Sequence, residues 1–168
     1  PYTQSYATPG VFPVFYAETN VCGTDTARQT VVVNDDVNPD IVYDQVQGCV
    51  PLAVTVANNT FLAQGPVPTY VWTVSTVNGG SFTYLSGGPN APAPQFEFPF
   101  PGDYEVCVTI QGICDTVTLC QTINAYDAPQ VALTPSSQAI CLDECVTFTY
   151  ATTNFTNLAL DSVFNPDI

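Results

Sequence analysis

Apolar and polar side chains alternate through Tyr104, Val106, Val108 and Ile110, and alternate again over residues 117–123, on either side of the turn Gln111-Gly112-Ile113-Cys114. A period of two sends successive side chains to opposite faces of a strand. This stretch therefore predicts a β-hairpin whose Tyr104, Val106, Val108 and Ile110 face a core while Cys107 and Thr109 face out. Similar short runs predict strands over 41–45, 52–57, 70–75, 81–85 and 95–98. Between them, 63–68 and 87–94 are dense in Gly and Pro, which disfavours helix, and no helical periodicity stands out anywhere. With the two hairpin arms the strands number seven, the count of a small Ig-like sandwich, so the expected fold class is all-β. Trp72, in phase with Tyr70 and Val74, reads as core filling between the sheets; a sugar-stacking platform is the alternative.

The hairpin pattern occurs twice. Ninety-two residues separate Pro9-Gly10 from Pro101-Gly102, Cys22 from Cys114, Gln29-Thr30 from Gln121-Thr122, and Cys49 from Cys141. A period of this length suits a chain of sandwich domains better than a solenoid. In that frame residues 1–36 carry the C-terminal part of a first Ig-like unit, with strands over 11–18 and 27–33. Residues 37–127 form a complete unit, and 128–168 the N-terminal part of a third, its strands falling within 133–155. The linker Asn34-Asp35-Asp36-Val37-Asn38-Pro39-Asp40 marks the first boundary through its proline and carboxylates, and both ends of the chain read as cut from something longer.

Composition narrows the function classes. A formal charge of −14, with Arg28 the only Arg or Lys and no His, leaves no cationic surface to neutralise phosphates, which excludes nucleic acid as a partner. The apolar fraction of 46%, rich in strand formers, argues for a folded rather than a disordered acidic chain. No apolar run has the length of a membrane span, so the segment is expected to be soluble and to make no membrane contact. Without His or Lys a general base would have to be a carboxylate, and nothing stands ready to activate a Ser, Thr or Cys nucleophile, so no catalytic residue is expected.

Seven cysteines, with neither a His nor a metal-type CxxC spacing, point to disulfides in an oxidising compartment rather than zinc; simple buried thiols are the alternative for some of them. Cys107 and Cys120 are equidistant from the hairpin turn on its outward face, which predicts a cross-strand bridge. Cys49 is then expected to pair with Cys114, a closure worth about 4 kcal/mol in the chain-entropy model against about 3 for the short hairpin bridge. Cys22 and Cys141 occupy equivalent positions in the neighbouring units, and Cys145 has no counterpart, since Ala53 stands in its place.

The sequences GCVPLAVTV, YVWTVS and FPFPGDYEVCVTI resemble a polycystic-kidney-disease (PKD) type domain, in the form found in tandem on surface proteins of gliding bacteria. Trp72, Pro101, Gly102, Tyr104 and Val106 match that pattern; residues 73–77 read TVSTV where the family has an acidic glycine-rich turn. The resemblance implies a disulfide-braced segment of a long extracellular adhesin on a bacterial cell surface, exported by type IX secretion and serving gliding or attachment. Its partners would be neighbouring repeats and an external ligand such as a surface polysaccharide. The alternative it implies is a carbohydrate-binding or spacer module of a secreted hydrolase. In such arrays the oxygen-bearing side chains of Asn34, Asp35, Asp36, Asn38 and Asp40 would suit Ca²⁺ at the linker, and the same segment also reads as a solvated acidic turn. Asp25-Thr26, Asp115-Thr116 and Asp161-Ser162, each followed by an apolar residue, resemble the O-glycosylation signal of the same bacteria, making Thr26, Thr116 and Ser162 the expected glycan carriers.

Overall fold

The computed structural model describes residues 1–76, 78 and 80–153. Among these the chain is all-β. The central part carries eight strands: β3 (Ile41–Tyr43), β4 (Gln47–Cys49), β5 (Leu52–Asn58), β6 (Thr69–Thr76), β7 (Thr83–Ser86), β8 (Gln95–Phe98), β9 (Gly102–Gln111) and β10 (Thr116–Tyr126). They form two four-stranded sheets with orders β3-β5-β8-β7 and β4-β10-β9-β6. This is an Ig-like arrangement: the first sheet has the order A-B-E-D, and the second joins strands C, F and G to an extra N-terminal strand. Two hairpins flank the sandwich, β1 (Gly10–Asn20) with β2 (Gly23–Val33), and β11 (Gln130–Pro135) with β12 (Phe148–Thr153).

Seven of the eight central strands coincide with the alternating runs. The eighth, β4, was not expected. It arises because the first strand leaves one sheet after Tyr43 and rejoins the other at Gln47, where it runs parallel to the end of β10. Three residues are too few to show a period, and a parallel partner seventy-odd residues away leaves no local mark.

The core is what the alternation predicts. Leu52, Val54 and Val56 of β5 and Phe96 and Phe98 of β8 face Tyr70 and Trp72 of β6, Tyr104, Val106, Val108 and Ile110 of β9, and Ile123 of β10, all buried. Aromatic contacts tie the sheets together: Trp72 meets Phe96 edge-on at 5.7 Å, and Phe98 meets Tyr104 at 4.5 Å between ring centroids. Each such fully buried side chain contributes about 1.5–3 kcal/mol relative to its exposed state. Their polar ends are satisfied. The Trp72 Nε1–H donates to the Ala91 carbonyl at 2.8 Å, and the Tyr104 hydroxyl to the Phe100 carbonyl at 2.7 Å. The second bond closes the corner between β8 and β9 in the manner of the tyrosine corner of Ig-type sandwiches.

The 92-residue frame recurs in the strand pairing. Gly10 pairs with Val33 as Gly102 pairs with Ala125, and every later pair of β1–β2 except the last, Asn20 with Gly23, has its counterpart in β9–β10 at the same shift. Both hairpins enter through a glycine at a φ that L side chains rarely adopt, 153° at Gly10 and 148° at Gly102. The hairpin β11–β12 repeats β3–β5 likewise: Thr134 pairs with Thr149 as Val42 pairs with Ala57. Even the adjoining bracket is copied. Asp44 N–H donates to Thr55 C=O and Thr55 N–H to Asp44 Oδ1, while Ser136 N–H donates to Thr147 C=O and Thr147 N–H to Ser136 Oγ.

Candidate functional site

The linker between β2 and β3 packs onto the tip of the β9–β10 hairpin. Val37 is buried there, its Cγ2 so close to Gly112 that any side chain on that glycine would collide with it. The Val37 N–H donates to Asp115 Oδ1 at 2.8 Å. Asp35 is held on the other side: its Oδ2 accepts from Ala63 N–H at 2.6 Å and Gln64 N–H at 3.1 Å, and its own N–H donates to the Gln64 carbonyl at 3.0 Å. Three segments distant in sequence thus meet at one pole of the sandwich, with the charges of Asp35 and Asp115 used to terminate backbone donors.

The residues expected to suit Ca²⁺, Asp35, Asp36, Asn38 and Asp40, lie in this linker. A calcium site needs six or more oxygens converging on one point. Here Asp35 turns to the 61–65 loop, and the ligand atoms of Asp35, Asp36 and Asp40 do not gather; among the described residues the one cluster of metal-ligating type is Glu105 with Cys107 and Cys120. Those two sulfurs are bonded to each other and offer no thiolate.

The Cys107–Cys120 bridge is present, joining directly opposed residues of β9 and β10. Its counterpart in the first hairpin is the pair Phe15 and Arg28, also directly opposed, where the guanidinium lies 5.0 Å from the ring centroid. One cross-strand position therefore holds a covalent bond in one copy and a cation–π contact in the other.

The expected Cys49–Cys114 bridge is not formed, and the topology forbids it. Cys49 ends β4 beside Tyr126, the last residue of β10, whereas Cys114 lies at the hairpin tip before β10 begins. The whole of β10 separates them, eleven residues, about 35 Å at the rise of a strand, against a span of at most about 7 Å for a disulfide. Both are exposed free thiols, as are Cys22, Cys141 and Cys145. Equal spacing in the repeat showed correctly that the two cysteines have counterparts; it carried no information about which pole each occupies. Cys114 instead directs its S–H toward the Asn34 carbonyl at 3.8 Å, within the linker junction. Cys22 lines an open hollow at the first hairpin tip with Glu18, Asn20 and Asp25.

Thr26 and Thr116 are both exposed, the first in β2 and the second at the start of β10; Ser162 lies outside the described residues. Among the described residues no helix is long and apolar enough to cross a membrane. Compared with protein-family models and with curated proteins, the chain matches none.

Proposed function

We propose that the chain is a run of tandem Ig-like repeats, of PKD type, acting as a load-bearing spacer and adhesion array in an extracellular bacterial surface protein, without catalytic activity. The observation that carries this reading is the recurrence of one strand register at a 92-residue shift in both flanking hairpins. The disulfide suits an oxidising, extracellular setting.

The topology suits tension. The chain enters the sandwich at the linker pole and leaves at Tyr126, at the opposite pole, so pulling on both ends draws β4 toward one pole and β10 toward the other. These strands are parallel, and they are joined by the Asn124 N–H to Val46 C=O and Val50 N–H to Tyr126 C=O bonds, each 2.9 Å, besides their ladder. Load therefore shears all of these bonds together instead of opening them in sequence. Neighbouring repeats are the immediate partners; an external polysaccharide would be met by the exposed faces, and Thr26, Thr116 and Ser162 would carry glycans.

Small-angle scattering on a chain lengthened by one repeat tests the reading: the expected profile is that of a rod lengthening with each unit, and a compact globule of unchanged maximum dimension overturns it.

A further inference from the structure

The two recurring cysteine positions lie at opposite poles of one unit, which brings them together between consecutive units. Cys49 is the register partner of Tyr126, and the next residue, Val50, donates its N–H to the Tyr126 carbonyl. Shifted by one repeat, Tyr126 becomes Asn34, the residue that follows β2. The cysteine that ends the β4-type strand of a preceding unit would thus lie one strand spacing, about 4.8 Å, from Asn34. Cys114 already brings its sulfur to 3.8 Å from the carbonyl of that same Asn34. Both cysteines would therefore neighbour one carbonyl, the proximity that a disulfide with about 4.4–6.8 Å between its Cα atoms requires.

We propose that wherever two complete units follow one another, the cysteine ending β4 of the first (the Cys49 and Cys141 position) forms a disulfide with the hairpin-tip cysteine of the second (the Cys22 and Cys114 position). This rests on the tandem reading and adds a covalent lock across each junction. It accounts for two facts at once: the four cysteines recur in the repeat frame, and all four are exposed and unbridged in this chain. The chemistry is thiol–disulfide exchange with a low-molecular-weight disulfide such as oxidised glutathione. One protein thiolate attacks it and expels a glutathione thiolate. The second protein thiolate then displaces the remaining glutathione, so two thiols and one glutathione disulfide give one protein disulfide and two reduced glutathiones.

The test is the full chain with residues 35–126 duplicated directly after Tyr126, oxidised with glutathione disulfide and digested with chymotrypsin without reduction. A peptide joining a Cys49 segment to a Cys114 segment is expected, with two free thiols lost. Because the copies are identical, serine variants assign it: C49S in the first copy or C114S in the second should each abolish the link, and C49S in the second or C114S in the first should leave it. Persistence of the link with C49S in the first copy, or an unchanged thiol count in the unsubstituted protein, overturns the proposal. Scattering on the same protein after reduction separates the two readings, since a rod whose thiols remain free keeps the array and removes the lock.

Discussion

The hairpins β1–β2 and β9–β10 share register, entry glycine and an outward brace, yet their inward faces meet opposite fates. Val106 and Val108 are fully buried, while their counterparts Val14 and Tyr16 are 38% and 64% exposed. Tyr104 anchors the corner through its hydroxyl, and Phe12, at the same position, has none to offer. Strand pairing is thus encoded within some twenty-four residues of local pattern, whereas burial comes from β5 and β8, which stand across the core from the second hairpin only, and from β6, which pairs with β9. Pairing without a covering sheet gives shape but little cooperativity, because isolated hairpins are marginal in water.

Removing the core anchor should separate the two most sharply. Tyr104→Ala is expected to destabilise the sandwich by about 3–5 kcal/mol, the range for aromatic truncation in a packed core, and Phe12→Ala to change it by no more than about 0.5 kcal/mol. Urea unfolding followed by Trp72, the sole tryptophan, reads the sandwich alone; equal losses from the two variants would mean that the first hairpin is packed into the same cooperative unit. Next in size is the brace. Replacing Cys107 and Cys120 together by Ala should cost about 3 kcal/mol by the same readout. Arg28→Ala, which removes only the cation–π contact, should cost the first hairpin about 0.5–1 kcal/mol, seen as faster amide exchange in β1 and β2. Comparable effects would overturn the ranking of the covalent brace above the cation–π one.

A smaller effect comes at alkaline pH. Burial raises the Tyr43 phenol from 10.0 to about 12, because the sandwich disfavours the phenolate. A group whose folded value is raised leaves stability intact below its unfolded value and loses it as pH climbs through the folded one. The melting temperature should therefore hold up to about pH 10 and fall between there and about pH 12. Tyr43→Phe should flatten that fall, and an equally steep fall in the variant would assign it to other groups, Tyr84 among them, whose phenol burial also raises.

The sequence carried the strands and the core because their signal is local: alternation at Tyr104–Ile110 and at Leu52–Val56 states at once which side chains go inward. The hairpin bridge was legible for the same reason, since Cys107 and Cys120 are equidistant from one turn. What failed was everything that depends on the path between sheets. The strand Gln47–Cys49 has no period, and without it nothing in the sequence places Cys49 at the pole opposite Cys114. Asp35 was read either as a cation ligand or as part of a solvated acidic turn, and neither reading named the N–H groups of Ala63 and Gln64, nearly thirty residues on, from which its oxygen accepts. Carboxylates in a linker look the same in sequence whether they await an ion or close a loop.

The constancy of the register has a consequence at the level of the gene. Because each copy repeats its pairing at a fixed 92-residue interval, recombination between out-of-step copies removes or inserts 92 residues wherever the crossover falls. Such a product splices the front of one sandwich to the back of another, with strands, turns and brace positions still opposed. An array built this way can lengthen or shorten by whole units without passing through a misfolded intermediate length, so the distance it spans becomes a trait that a single crossover can change.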